Sequence, residues 1–202
     1  MEDNIIVVLE GMPGAGKSSF LSKIQEDNLK DIVIFPQIYL GKDEVKGKNP
    51  DDYYLQEELR RSRDIRQIKG KMVFIDRGIY SHLAYAHAKS VLEPKESKRF
   101  AKMEKLFKSK IRKYLYSPSY VFFIDIKEAI SIERRKKNER NLNFREWYDV
   151  RFLRQLRKSY KYIFKQNKIT PLIIDTSNLT KEEVYIRLLP ATNIQKKLLK
   201  KQ

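Results

Sequence analysis

Eight consecutive residues near the N-terminus have the types and spacing of a loop that binds phosphate. They are Gly11, Met12, Pro13, Gly14, Ala15, Gly16, Lys17 and Ser18, a glycine and four residues followed by Gly-Lys-Ser. In such a P-loop the backbone N–H groups surround nucleotide phosphates, the lysine reaches the β- and γ-phosphates, and the serine hydroxyl binds Mg²⁺. We therefore predict a nucleotide site with Mg²⁺ here and assign the next residue, Ser19, to it.

The segments on either side of this loop are those that a phosphate-binding loop requires. Residues 4–10 form a short apolar run, which is typical of a buried parallel strand. Residues 18–24 can open a helix, whose positive N-terminal end favours an anion. Strand, glycine loop and helix together favour nucleotide binding over a glycine-rich turn without a ligand.

Composition narrows the class of protein. The 202 residues are 41% hydrophobic and 34% charged, which fits a single domain over residues 1–202. No apolar run approaches the roughly 18 residues of a membrane span, and the acidic residues 1–4 do not resemble a secretory signal. The absence of cysteine excludes disulfides and thiolate metal sites. We expect a cytoplasmic protein that is not bound to a membrane.

The formal net charge of +17 favours an anionic partner. A small, highly anionic substrate explains part of this charge equally well. The charge is also consistent with lysine-rich helices that are simply solvated. A nucleic acid is therefore the less favoured partner. The densest basic cluster lies at residues 133–140 and contains Arg134, Arg135 and Arg140.

Five apolar strands alternate with helices along the chain. The strands are predicted at residues 4–10, 31–35, 72–75, 120–125 and 171–175. Helices are predicted at 18–24, 53–69 and 80–89, from 94 to about 116, from 127, from about 143 to 166, and after a capping box formed by Thr180 and Glu183. This alternation predicts an α/β fold with a five-stranded parallel sheet covered on both faces.

Ligands of parallel sheets bind outside the carboxyl ends of the strands. The polar residues at these ends follow the P-loop in chain order: Gln37 after the second strand, Asp76 and Arg77 after the third, and Asp125 after the fourth. Either Asp76 or Asp125 could flank the first strand, so both are candidates for the Mg²⁺ carboxylate, and Asp76 is preferred.

Several stretches of the chain occur in an order that is known from one group of kinases. Leu9-Glu10-Gly11 leads into the P-loop, and Phe74-Ile75-Asp76-Arg77 is followed by Ser81-His-Leu-Ala-Tyr85. The strand at 120–125 then precedes the arginine-rich segment. Over nearly its whole length the sequence resembles the thymidylate kinase and deoxynucleoside kinase group. The resemblance implies a three-layer P-loop NTPase fold with a basic lid at about residues 133–145.

The resemblance also implies roles for particular side chains in transferring the γ-phosphoryl group of ATP. Lys17 would contact that group, Ser18 and Asp76 would hold Mg²⁺, and Arg77 would hold the acceptor or the γ-phosphate. The lid arginines would stabilise charge on the transferred group. Of these, Arg134 and Arg140 are expected in catalysis and Arg135 in ATP binding.

The segment after the second strand bears on the acceptor. In this kinase group it normally contains a glutamate, which is the general base of the nucleoside kinases, whereas here it reads Phe35-Pro36-Gln37-Ile38. A neutral nucleoside needs a base, but a monophosphate is already an anionic nucleophile. The sequence therefore favours a nucleoside monophosphate, with dTMP as the first choice. We expect Gln37, Tyr39, Arg77 and Tyr80 to contact it.

Three alternatives stay open at this stage. One is a deoxynucleoside kinase in which Asp76 is the base. The others, from a different class, are a basic P-loop protein acting on nucleic-acid 5′ ends and a nucleotide-binding protein without kinase activity. The sequence also leaves a homodimer open.

Overall fold

A parallel sheet forms the centre of the molecule. The strands are β1 (Ile5–Gly11), β2 (Ile32–Phe35), β3 (Met72–Asp76), β4 (Tyr120–Asp125) and β5 (Leu172–Asp175). The computed structural model describes residues 4–27, 31–38, 50–137 and 145–189. The strand order is β2-β3-β1-β4-β5, and every pairing is parallel. The predicted five-stranded parallel sheet is confirmed.

Helices connect the strands. They are α1 (Lys17–Glu26), α2 (Pro50–Gln67), α3 (Ile79–Leu92), α4 (Ser97–Leu106), α5 (Glu128–Lys137), α6 (Val150–Gln166) and a last segment, α7, at 181–189. Short helical turns lie at Pro94–Glu96, Phe107–Ile111, Arg112–Tyr114 and Arg145–Tyr148. No helix in the described ranges is both long and apolar enough to cross a lipid bilayer.

The helices cover both faces of the sheet and so form three layers. On one face, Phe20 of α1 packs against Phe74 of β3, with ring centroids 5.8 Å apart, and against Tyr185 of α7. On the other face, Tyr160 of α6 packs against Phe123 of β4, with centroids 5.0 Å apart. Because both faces are covered, the central strands are continuous apolar runs. This confirms the predicted three-layer fold.

Several predicted helix boundaries were wrong, among them that of α3, which ends at Leu92 and not at residue 89. α2 begins at Pro50 rather than residue 53, because proline is well suited to the first helical position and Asp51 and Asp52 suit the first turn. α6 begins at Val150 rather than near 143, because Asp149 caps it by accepting from the Arg151 N–H at 2.7 Å. The predicted helix from 94 to about 116 is interrupted after Leu106, where wider and tighter turns carry the buried Phe107 into the core.

The start of the last helix was predicted correctly to the residue. The Thr180 hydroxyl accepts from the Glu183 N–H at 3.2 Å, and the Glu183 carboxylate accepts from the Thr180 N–H at 2.7 Å. This reciprocal pair is the predicted capping box at the start of α7. The single-domain organisation over residues 1–202 stays a prediction, since residues 190–202 lie outside the described ranges.

Candidate active site

The phosphate-binding loop is held from outside through its carbonyl groups. The Ser131 hydroxyl donates to the Pro13 carbonyl at 2.7 Å, and the Thr176 hydroxyl donates to the Ala15 carbonyl at 3.1 Å. Within the described part of the chain, no backbone carbonyl accepts the N–H groups of residues 14–19. These donors are thus left at the N-terminus of α1, the arrangement that binds an anion.

Two glycines allow this loop to lie close to its neighbours. Gly11 has φ 137°, and a Cβ there would lie 2.1 Å from the Ile124 carbonyl oxygen of β4. Gly14 has φ 71°, and a Cβ there would lie 3.0 Å from the Ser131 carbonyl oxygen. Any larger residue would therefore be strained and would push the loop away from β4 and α5.

Lys17 lies inside the loop. Its Nζ donates to the carbonyls of Gly11 at 3.1 Å and Met12 at 2.7 Å. Burial lowers the pKa of Lys17 well below its usual value, and the nearby Arg77 adds to this effect, whereas Asp76 opposes it. A phosphate would offer the ammonium a charged acceptor in place of two carbonyls, and would thereby stabilise its charged form.

Ser18 and Asp76 bring two oxygen donors together at the start of α1 and the end of β3. The Ser18 hydroxyl donates to Asp76 Oδ2 at 3.3 Å. The second oxygen, Oδ1, is buried and has no hydrogen-bond partner among the described residues. The described ranges hold no group of three or more acidic, histidine or cysteine side chains suited to a metal. Mg²⁺ bound to a nucleotide typically uses one or two protein oxygens plus phosphates, so this pair fits it.

Asp125 is engaged elsewhere. Arg157 of α6 donates through Nε to both of its carboxylate oxygens, at 2.8 and 3.0 Å, and the Ile126 N–H donates to Oδ1 at 2.8 Å. An aspartate held in this way fixes α6 to the end of β4. The geometry therefore favours Asp76 as the carboxylate for Mg²⁺.

Arg77 connects the end of β3 to the P-loop. Its Nη1 donates to the Gly11 carbonyl at 2.8 Å and to the Tyr160 hydroxyl of α6 at 2.9 Å. A cationic group thus lies directly beside the first residue of the loop. Its predicted contact with the acceptor or the γ-phosphate stays a prediction.

A buried glutamate that the sequence analysis gave no role lies under the same site. Glu10 accepts from the Gly78 N–H at 3.0 Å through Oε1 and from the Ser81 hydroxyl through Oε2. Burial raises the pKa of Glu10 to about 7. The hydrogen bonds from Ser81 and Gly78 and the charge of Arg77 oppose this shift. A carboxylate from β1 therefore caps the N-terminus of α3. An acid ending an apolar strand was the available signal.

The chain matches a known protein family. A family model described as thymidylate kinase matches residues 56–185, which is more than half of the chain. The chain belongs to the thymidylate kinase family. It is therefore an ATP-dependent nucleotide kinase, and the matched stretch contains Asp76 and Arg77 but begins after the P-loop.

Individual relatives of this thymidylate kinase family member are distant but match over most of their length. The thymidylate kinase of Leptospira borgpetersenii is 24% identical over 187 residues, covering 84% of this chain and 85% of that protein. A probable thymidylate kinase of Methanocaldococcus jannaschii is 26% identical over 196 residues, covering 92% and 94%.

Solved structures share the fold. A deoxyadenosine kinase from M. mycoides with bound dATP has a TM-score of 0.70 at 16% identity, covering 93% of this chain and 98% of that chain. A thymidylate kinase from Candida albicans also has a TM-score of 0.70, at 17% identity, covering 96% and 93%. At these identities the likeness shows the P-loop kinase fold and not the acceptor.

The two described arginines of the predicted lid face different ways. Arg135 lies beside the P-loop, since its Cγ would be 3.5 Å from a Cβ on Gly14, which suits its predicted contact with ATP. Arg134 instead donates to the carbonyls of Thr176 and Leu179 at 2.9 and 2.7 Å. Successive helical residues point about 100° apart, which explains the divergence. This geometry makes Arg134 an anchor for the loop after β5 and does not support a catalytic role.

Arg140 and the rest of 138–144 in the predicted lid lie outside the described residues. So does Tyr39, one of the residues predicted to contact the acceptor. Their predicted roles stay predictions.

Gln37 and Tyr80, both predicted to contact the acceptor, lie in different surroundings. Gln37 is half-buried and lies just after the carboxyl end of β2, which is where the sequence predicts it. Its contact with the acceptor stays a prediction. Tyr80 faces away, with its ring 6.1 Å from that of Phe164 of α6, and it lines a cavity of about 200 Å³ with Arg112 and Ile169. Its place in the first turn of α3 directs the ring toward α6. The structure therefore does not support Tyr80 as an acceptor contact.

Proposed function

We propose that this enzyme transfers the γ-phosphoryl group of ATP to a nucleoside monophosphate, with dTMP as the leading acceptor and Mg²⁺ as cofactor. The observation that carries the choice of acceptor is the segment after β2, where Pro36 and Gln37 stand in place of a carboxylate. Arg77 at the neighbouring strand end, beside the P-loop, supports it. Membership of the thymidylate kinase family points to the same acceptor.

Some residues of the site would bind the phosphates, and others would stabilise the charge that develops during transfer. The N–H groups of residues 14–19 and the Lys17 ammonium would bind the β- and γ-phosphates, and Arg135 would lie against them. Mg²⁺, held by Ser18 and Asp76, would neutralise charge on the phosphate oxygens. A phosphate oxygen of the acceptor forms the new bond to the γ-phosphorus as the bond to the β–γ bridging oxygen breaks, giving ADP and a nucleoside diphosphate. Since the nucleophile is anionic, no proton has to be removed.

A substrate screen tests this proposal. ADP release would be measured with nucleosides, nucleoside monophosphates and 5′-hydroxyl oligonucleotides as acceptors. We expect dTMP to have the highest kcat/KM and thymidine to be a weak substrate. A clear preference for thymidine would contradict the proposal, as would turnover only with an oligonucleotide.

A deoxynucleoside kinase is the second candidate, and the buried Oδ1 of Asp76 favours it. This oxygen has no partner among the described residues and would be able to accept the proton of an attacking hydroxyl. In that case thymidine would be preferred, and Asp76→Asn would lose the roughly 10²- to 10⁴-fold that a removed general base costs.

The net charge of +17 needs a separate test. A protein that neutralises six or more phosphates along a nucleic acid loses roughly a thousandfold in affinity between low and physiological salt. For a small nucleotide we expect only a modest loss. A steep salt dependence with tight residual binding of an oligonucleotide would support the nucleic-acid alternative.

A further inference from the structure

Arg61 of α2 contacts the backbone at the ends of two neighbouring strands. Its Nη1 donates to the Arg77 carbonyl at 2.8 Å, and its Nη2 donates to the Pro36 carbonyl at 2.7 Å. The strands that precede these residues are paired, with Phe35 of β2 opposite Ile75 of β3. One guanidinium thus connects the two chain segments that border the acceptor side of the sheet.

The carbonyl that Arg61 binds belongs to a residue with an unusual backbone. Arg77 has φ 60°, in the left-handed region that residues other than glycine seldom adopt. Surrounding contacts must hold such a conformation, and it decides where the side chain points. With this backbone the Arg77 guanidinium reaches the Gly11 carbonyl of the P-loop. Arg61 therefore fixes the conformation of the residue expected to meet the acceptor phosphate.

The burial of Arg61 argues against a direct contact with substrate. Its side chain is 5% exposed, and its other contact is an ion pair with Glu58 at 3.2 Å. Glu58 is completely buried, and its second oxygen faces the Tyr116 hydroxyl at 3.5 Å. Any influence on the reaction must pass through the strand ends.

We propose that Arg61 is a positioning residue for the acceptor nucleotide, acting through Arg77 and the segment that carries Gln37. The inference rests on the proposed function. We expect ATP affinity to depend on it little, because Ser131 and Thr176 hold the P-loop independently of Arg61. Arg61 reaches its two carbonyls with two separate nitrogens of one planar guanidinium, a rigid fork that the single nitrogen of a lysine ammonium on its flexible stem does not reproduce.

Arg61→Lys is the main test, with Arg60→Lys as the matched control. Arg60 is the preceding residue of α2, but it lies on the surface and pairs with Glu57. We expect Arg61→Lys to raise the KM for dTMP about tenfold, the effect of losing one charge-assisted hydrogen bond, with the KM for ATP within about twofold. Arg60→Lys should leave both constants unchanged. Equal changes in both KM values for Arg61→Lys, or no change in either, would overturn the proposal.

Glu58→Gln separates positioning from the loss of a buried ion pair. This variant leaves Arg61 in place, so the KM for dTMP should change less than in Arg61→Lys. An equal or larger rise would assign the effect to the pair instead. If Arg61→Lys does not fold, the double variant Glu58→Gln with Arg61→Gln removes both buried charges together, and the same KM comparison applies.

Amide hydrogen exchange tests the inference without any enzyme activity. The N–H groups of Arg77 and Gly78 donate to the Leu9 carbonyl and to Glu10 in the resting protein. Arg61→Lys should speed their exchange by about tenfold or more, while amides of β4 stay as in the wild type. Unchanged exchange would overturn the positioning role. If the wild type phosphorylates no nucleotide but this exchange still changes, the proposed function alone has failed.

Discussion

The donor and acceptor sides of the site are built in different ways. On the donor side, one short stretch supplies the loop, the lysine and the serine, and Lys17 bonds to carbonyls five and six residues away. On the acceptor side, Arg77 meets Tyr160, which is 83 residues further along the chain, and Arg61 meets Pro36 from 25 residues away. The residues of the donor side thus come from one local stretch, even though Ser131 and Thr176 hold it from far along the chain, whereas the residues of the acceptor side are brought together only by the packing of the helices.

This difference predicts how each side responds to substitution. A donor-side residue is proposed to act directly on the phosphates, so its loss should abolish turnover and leave the fold intact. Residues on the acceptor side are bonded to one another, so their loss should change affinity and stability together. The experiments below test that contrast, beginning with the largest expected effect.

Lys17→Ala should lower kcat with ATP by at least about a hundredfold, because a preorganised cation beside the transferred group is lost. The melting temperature should stay near that of the wild type. The variant loses the lysine's bonds to Gly11 and Met12 but also removes a buried cation whose charged form burial disfavours, and Ser131 and Thr176 still hold the loop. Lys23→Ala, on the exposed side of the same helix, is the control. A Lys17→Ala enzyme with near-normal turnover would remove the P-loop from the mechanism.

Asp76→Asn should lower kcat/KM for dTMP and raise the Mg²⁺ concentration needed for half-maximal rate. The effect is expected to be roughly tenfold to a hundredfold, because Ser18 and the ATP phosphates would still bind the ion. Mg²⁺ titrations at saturating ATP would measure it. An Asp76→Asn enzyme with unchanged Mg²⁺ dependence would instead point to a role as base, and thymidine turnover would then decide between the two.

The donor side could be predicted from the sequence because its signal is local. A glycine pattern between an apolar strand and a helix identified the loop, and the order of strand ends brought Asp76 beside Ser18, as the 3.3 Å contact confirms. The same reasoning preferred Asp76 but left Asp125 open, since the contact that occupies Asp125 comes from Arg157 on a different helix.

On the acceptor side the sequence held no comparable signal. Arg61 is one of several arginines in α2, and only packing shows that it is buried while Arg60 is exposed. Arg134 and Arg135 likewise cannot be distinguished in the sequence. Helix geometry alone directs Arg134 to the loop after β5. Residues of one type within one basic stretch cannot be ranked until the face of the helix is known.

Arg77→Lys should cost at least about 1.4 kcal/mol, or tenfold, in kcat/KM for the monophosphate. Lysine would not reproduce bonds to the Gly11 carbonyl and the Tyr160 hydroxyl and also present a planar fork to a phosphate. Wild-type and variant rates with dTMP and thymidine would be compared. A mild effect of Arg77→Lys in an enzyme that prefers thymidine, with Asp76→Asn nearly inactive, would contradict the monophosphate proposal.

The last prediction concerns stability instead of rate and follows from two buried acids on the acceptor side. Burial raises the pKa of Glu10 from 4.5 to about 7, and it raises that of Glu58 to about 7 as well. Between pH 4.5 and pH 7, these two carboxyl groups lose their protons in the unfolded chain but keep them in the folded protein. Their contribution to stability is therefore complete below about pH 4.5 and is lost as the pH rises through 7, by at most about 1.4 kcal/mol per pH unit for each group.

Denaturant unfolding from pH 5 to pH 8 would measure this effect as a difference between wild type and variants. The difference is needed because burial lowers the pKa of His82 from 6.5 to about 3, which makes stability rise with pH up to about pH 6.5. Glu10→Gln and Glu58→Gln should each remove part of the downward slope. Glu133→Gln should not, because Lys137 lowers the pKa of that exposed acid below 4.5 and it stays ionised throughout. Identical slopes in all the proteins would show that the buried acids exchange no protons on unfolding between pH 5 and pH 8, which would contradict the raised pKa values.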